Sequence, residues 1–254
     1  MIMRSIALKI GARISCMLGR NKGRRIVAFH EIDNGKVFRE RLELLQEDWD
    51  IVDLHTLMDS PAEPNERLLA LTFDDGYQNW VDQALPVLLE LNLPAVFFVC
   101  SGIVGLEKSS AERFVRHRLR RTQCLQTLTH SGFLELAKYP LLEIGGHTRD
   151  HYDLGGNLRD KDIEEQIFSD RIQLQNWSGR EVKWFAYPFG GTKNCSLISQ
   201  KVVASAGYEA AFTIQSKRVL PSQNLFFVGR DALSPDTPMD EWQNRLAGGR
   251  ELYG

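Results

Sequence analysis

Short runs of apolar, β-branched and aromatic residues recur along the chain at 26–29, 51–54, 69–73, 95–99, 142–145, 184–187, 210–214 and 225–228. Each has the length and composition of a buried strand. Between several of them, apolar positions return every three or four residues, as at 79–91, 160–177 and 196–206, which predicts amphipathic helices. Strand followed by helix, repeated, predicts parallel strands joined by crossovers. Seven or eight such strands in a chain of 254 residues favour a closed, TIM-like (β/α) barrel over an open sheet. Pro61, Pro64 and their polar neighbours read as a surface loop rather than a boundary. No internal repeat interrupts the pattern, so residues 26–254 are expected to form one domain.

Residues 1–25 stand apart. They carry Arg4, Lys9, Arg13, Arg20, Lys22, Arg24 and Arg25 without one acidic residue. Lys9 and Arg13 break the only candidate apolar core of a signal peptide. No run approaches the roughly 20 apolar residues that cross a bilayer. On a helical wheel Met3, Ile6, Ala7, Ile10, Ile14, Met17 and Leu18 share one face, with Lys9, Arg13 and Arg20 opposite. This is the pattern of a helix lying on an anionic membrane, and equally of one packed on the barrel; the excess of positive charge tilts the reading towards the membrane. The expectation is a cytoplasmic protein with peripheral membrane contact through residues 1–22.

A chain this long buries a core large enough to fold without disulfides. Its cysteines, Cys16, Cys100, Cys124 and Cys195, form no close pair of the kind that binds zinc or does redox chemistry. A formal net charge of −2 gives no whole-protein field that would draw nucleic acid. One local cluster is strongly basic: Arg113, Arg116, Arg118, Arg120 and Arg121, beside His117. It reads either as a solvated helix face or as a site for a phosphate or other anion near a substrate.

Candidate chemistry lies at two strand ends. In Leu71-Thr72-Phe73-Asp74-Asp75-Gly76-Tyr77 an apolar strand ends in adjacent carboxylates and a turn-permitting glycine. Such residues face the mouth of a barrel. A cation held by one carboxylate would relieve their repulsion and divide their roles. In Gly145-Gly146-His147-Thr148-Arg149-Asp150-His151, following the run at 142–145, two imidazoles four residues apart have a spacing suited to gripping one metal. One carboxylate and two imidazoles make a catalytic metal site, for which zinc is the first choice and cobalt, nickel or manganese are alternatives. Asp74, left off the metal, would be the base.

The order TFDDG, then HTRDH roughly seventy residues later, then the YPFG of 187–190, resembles the polysaccharide deacetylases, which include chitin deacetylases and the nodulation-factor deacetylase. The similarity runs from about Arg25 to Arg230. The resemblance implies a distorted barrel of about seven strands that hydrolyses acetyl groups on sugars with a divalent metal. It implies Asp74 as general base and Asp75, His147 and His151 as ligands. It also implies that the backbone N–H of Phe189 holds an oxyanion, and it leaves Tyr187 and Arg230 as expected substrate contacts.

Two departures stand out. The family's run of arginine, proline, proline, tyrosine and glycine is replaced here by Phe185-Ala186-Tyr187-Pro188-Phe189-Gly190. The arginine that buttresses the base is therefore missing at Ala186, and Arg230 is a candidate to fill its space from another strand. No histidine follows His151, where the family has a general acid. His30, ending the first strand, is the candidate in its place. The expected substrate is an N-acetylated amino sugar in a glycan, of the lipid- or nucleotide-linked biosynthetic kind. The competing readings are a catalytically degraded glycan-binding relative and a hydrolase of a non-sugar amide.

Overall fold

The computed structural model describes residues 22–248 other than Ser60, Ala62, Pro64, Cys124, Asn157 and Leu158. The basic N-terminal helix expected over 1–22 falls, but for Lys22, outside the described residues. No described helix is long and apolar enough to cross a membrane.

The strands are β1 (Gly23–Phe29), β2 (Asp50–Ile51), β3 (Arg67–Asp75), β4 (Ala95–Val99), β5 (Leu142–Gly146), β6 (Trp184–Ala186), β7 (Ala210–Phe212) and β8 (Asp231–Ala232). Every pairing among them is parallel, in the order β7-β6-β5-β4-β3-β1-β8, with β2 beside the start of β3. The sheet curls round on itself. Val228 bridges Phe212 of β7, and three residues later Asp231 pairs with Val27 of β1. One short segment therefore spans the gap between the two edges, making the distorted (β/α) barrel that the alternation predicts.

Successive side chains of a strand face opposite sides, and here both sides are buried. Ile26, Ala70, Val96, Phe98, Trp184, Ala186, Ala210 and Phe212 form an interior cluster with Leu54 and Leu57. Val27, Phe29, Leu69, Leu71, Phe73, Phe97 and Val99 belong to a larger one between sheet and helices. Because Ala70 faces inward, so do Thr72 and Asp74 two and four positions on. Period two thus carries a carboxylate to the inner rim at the C-terminal end of β3.

The helices are α1 (Gly35–Gln46), α2 (Leu54–Asp59), α3 (Leu85–Glu90), α4 (Lys108–His117), α5 (His130–Ala137), α6 (Asp160–Ser178), α7 (Leu197–Ser205) and α8 (Met239–Leu246). Three expectations are corrected. The run at 51–54 is a strand only at Ile51; Asp53 accepts the Thr56 N–H at 2.8 Å and starts α2 there, as helix-capping aspartates do. The run at 225–228 is a helical turn over Leu225–Phe227. Asn224 Oδ1 accepts the Phe226 N–H, and Leu225 is 45% exposed, so the strand that follows is β8. The helix over 79–91 opens with a π turn at Trp80–Ala84 before α3. Pro86 offers no N–H to Asp82 and crowds that carbonyl, which a wide turn accommodates.

Candidate active site

Four strand ends or their following loops, with the residue before β8, meet at one rim, the C-terminal face on which such barrels carry their sites. β1 ends before His30, β3 in Asp74 and Asp75, β5 before His147, β6 before Tyr187, and Arg230 precedes β8. With the loop at 119–121 they enclose a cavity of about 330 Å³, lined by His30, Asp74, Asp75, His147, His151, Tyr187 and Phe189 among others.

Asp75, His147 and His151 are brought together. Asp75 Oδ1 is 3.4 Å from His147 Nε2 and 3.3 Å from His151 Nε2. One donor atom from each lies within 4.8 Å of the others, and all three residues are buried. The outer ring nitrogens are taken: His147 Nδ1 is 2.7 Å from the Ala186 carbonyl and His151 Nδ1 is 3.0 Å from that of Arg118. With Nδ1–H donated outward, each Nε2 presents a lone pair inward, the arrangement that a metal-binding imidazole requires. Tyr77 donates its hydroxyl to Asp75 Oδ2 at 2.6 Å, leaving Oδ1 to the histidines' side. Burial works to raise the Asp75 carboxyl, but the rings of His147 and His151 beside it hold it well below the usual range. A set of two nitrogens and one oxygen, buried and oriented, fits a divalent metal of the zinc type.

Asp74 stands beside this set with a different partner. Arg230 grips it bidentately, Nη1 to Oδ1 at 2.7 Å and Nη2 to Oδ2 at 2.6 Å. The same guanidinium donates to Thr72 Oγ1 and the Thr213 carbonyl, and is 0% exposed. Burial pushes the Asp74 carboxyl up, but the charge and hydrogen bonds of Arg230 keep it below its ordinary value. Arg230 is therefore in the place of the missing arginine. It forms no wall of the cavity, and the expectation of a substrate contact is corrected to that of a buttress behind Asp74. Ala186 contributes instead through its carbonyl, the acceptor for His147.

His30 lines the cavity. Tyr187 does too, but its hydroxyl is turned to the Phe226 carbonyl at 3.0 Å, so only its ring faces the cleft. The Phe189 ring packs edge-on to His151 at 4.6 Å, and its N–H meets no protein acceptor among the described residues.

Sequence reasoning gave no role to Tyr77, though it adjoins the two carboxylates, and missed Asp170. Asp170 Oδ2 accepts the His147 N–H at 2.9 Å and Oδ1 the Ser101 N–H at 2.8 Å. Burial pushes its carboxyl up to about 6 against those bonds. A signal existed: Asp170 lies among Ile163, Ile167 and Leu174 on the buried face of α6, which also holds Gln166, so an acid lies on a largely apolar face. The rim is also strained. Asp75, Arg120, Thr148, His151 and Phe189 have positive φ, five of the seven non-glycine residues that do among the described residues. Such conformations persist where the surroundings over-determine them, and they cluster at active sites.

A family model of polysaccharide deacetylase matches residues 62–211. The chain belongs to the polysaccharide deacetylase family. Members of this family hydrolyse carbon–nitrogen bonds other than peptide bonds and depend on a metal. The poly-beta-1,6-N-acetyl-D-glucosamine N-deacetylase of Staphylococcus aureus (strain MRSA252) is 26% identical over 179 residues, covering 67% of this chain and 56% of the relative. The chain thus spans little more than half the length of the curated relatives it matches. IcaB from Ammonifex degensii superposes with a TM-score of 0.72 at 22% identity, covering 88% of this deacetylase-family chain and 97% of IcaB. The Streptococcus pyogenes deacetylase PplD, solved with acetate, superposes at 0.67 with 16% identity, over 88% and 97%. At these identities the likeness establishes the fold.

Proposed function

We propose that this chain removes the N-acetyl group from an amino sugar of a glycan, by hydrolysis that depends on a divalent metal, zinc before cobalt, nickel or manganese. The observation that carries the reading is a three-residue ligand set, Asp75, His147 and His151, beside a second carboxylate that is tied to an arginine instead. When bound there, the metal supplies Lewis acidity at the acetyl carbonyl and the attacking water. Asp74, held ionised and aimed by Arg230, accepts the proton of that water. The Phe189 N–H stabilises the charge that develops on the carbonyl oxygen. The C–N bond then breaks, and His30 donates the proton that the leaving amine needs. Acetate and a free amine result.

Two further points extend the reading. The amino sugar is a biosynthetic intermediate joined to a lipid or nucleotide carrier, a kind of substrate that none of the three relatives above is named for. The cavity of about 330 Å³ lies at the lower end of the range of small-molecule sites.

The test is metal content with acetate release from a panel of N-acetylated sugars, comparing wild type with Asp74→Asn. One metal per chain, and a rate lower by about 10²–10⁴ in the variant, is the expected result. Metal without acetate from any sugar would instead favour a glycan-binding relative that has lost turnover. A variant as fast as wild type would remove Asp74 from the mechanism.

A further inference from the structure

The loop from Arg118 to Arg121 separates two cavities. The first is the deacetylase cleft, whose wall includes Leu119, Arg120 and Arg121. The second, about 390 Å³, is lined by Ser110, Arg113, His117, Arg118 and Asp150 among others. They share a partition, because the Arg118 carbonyl receives His151 Nδ1 while its side chain faces the second cavity.

Three acids around the two cavities are already engaged. Asp74 is matched by Arg230, and Arg121 by Glu31 at 3.6 Å. Asp150, the acid in the second cavity, accepts from Arg149 and Gln166. Arg118 and Arg120 have no carboxylate within ion-pairing distance among the described residues. Arg120 is nonetheless held in place. Its guanidinium lies 4.3 Å from the centroid of the Phe189 ring, and its backbone takes a left-handed conformation with φ of 56°. A cation stacked on an aromatic ring keeps its N–H edge free, and a guanidinium edge matches the paired oxygens of a phosphate. A solvated helix face needs neither the stacking nor the strained backbone.

We infer that the group flanking the reacting amino sugar is a phosphate-type anion, recognised by Arg120 in the cleft and by Arg113, His117 and Arg118 in the adjoining cavity. This rests on the reading of the cleft as a deacetylase site, and narrows its substrate to sugars carried on a phosphate or diphosphate. Unpaired cations around a cleft raise the local concentration of an anionic substrate, an effect that salt screens.

Two measurements separate this inference from the reading beneath it. The first is binding of inorganic pyrophosphate by calorimetry, in buffer without free divalent metal, to wild type, Arg118→Gln/Arg120→Gln and Arg113→Gln/Arg118→Gln. Both pairs are solvent-exposed, and thermal unfolding checks that each variant is folded. Dissociation constants at least tenfold weaker in both variants, and in wild type at high salt, are expected; equal binding by all three proteins overturns the site. The second is acetate release from a nucleoside-diphosphate N-acetyl sugar, a polyprenyl-diphosphate N-acetyl sugar and a neutral N-acetylglucosamine oligomer. Wild type should favour at least one phosphorylated substrate over the oligomer by tenfold or more in kcat/KM. The better of the two identifies the carrier, and the preference should shrink to within threefold in Arg118→Gln/Arg120→Gln. A wild type that prefers the neutral oligomer sinks the inference while leaving the deacetylase standing. Acetate from none of the three would count against the deacetylase, and the pyrophosphate titration would still decide the anion site.

Discussion

Replacing Arg230 with methionine tests whether Asp74 is held by a buried charge or merely sits near one. The arginine makes four hydrogen bonds, two to Asp74 and one each to Thr72 Oγ1 and the Thr213 carbonyl, and its side chain is 0% exposed while that of Asp74 is 3%. Methionine fills most of the volume but leaves a carboxylate without its counter-charge. Removing one partner of a buried pair costs about 3–5 kcal/mol, most of it the penalty on the charge left behind. At an m-value of roughly 3 kcal/mol per molar urea, the midpoint falls by about 1–1.7 M, followed by circular dichroism. The double variant Asp74→Asn/Arg230→Met removes the stranded charge as well. It should recover about 2 kcal/mol relative to simple addition of the two single effects, the size of coupling found between contacting residues. A single variant within about 1 kcal/mol of wild type, or a double variant whose effects add, would refute the argument that Arg230 neutralises the base.

Three more outcomes follow from the same geometry. Tyr77→Phe removes the hydroxyl that orients Asp75, and zinc affinity measured against a competing chelator should fall about 10–100-fold with the fold intact; unchanged affinity would make the bond incidental. Asp170→Asn keeps one carbonyl oxygen for two backbone donors, Ser101 and His147, so denaturant unfolding should register a loss of about 1–3 kcal/mol, and wild-type stability would refute that role. Phe189 has a φ of 62°, so Phe189→Gly should be more stable than Phe189→Ala by about 1 kcal/mol in thermal scans; the reverse order would mean that no strain is stored there.

The site residues that were legible in the sequence are those whose chemistry is local. Asp74 and Asp75 are adjacent, and His147 and His151 are four apart, so spacing alone proposes a shared ion. The strands were legible because both faces are buried and each appears as an apolar run. The same rule failed at 225–228, because four apolar residues cannot distinguish a strand from a turn that an asparagine opens. Another part of the site is written in no side chain. The acceptors for His147 and His151 are the carbonyls of Ala186 and Arg118, and any residue could supply them. Arg230 is different again: it lies 156 positions from Asp74, so the sequence offered it only as a candidate for the missing arginine's space, and the barrel's closure supplies the contact.

That closure links stability to chemistry. The family's arginine is expected on the strand that ends at Ala186, yet the buttress here arrives from the segment that joins the two sheet edges. Val228 pairs with β7 and Asp231 with β1, and Arg230, between them, projects inward to Asp74 and lies 5.2 Å from the centroid of the Phe98 ring. What a base needs is a guanidinium at a fixed point in the barrel, and the interior can be entered from any strand whose inward position reaches that point. Ala186 leaves room where an arginine would stand, while its carbonyl still fixes the tautomer of His147. Moving the arginine thus keeps a guanidinium on Asp74 but ties it to the closing segment. A substitution that loosens Val228 or Asp231 should therefore act on Asp74 before it unfolds the chain, because the arginine is carried by the last turn of the sheet rather than by its centre.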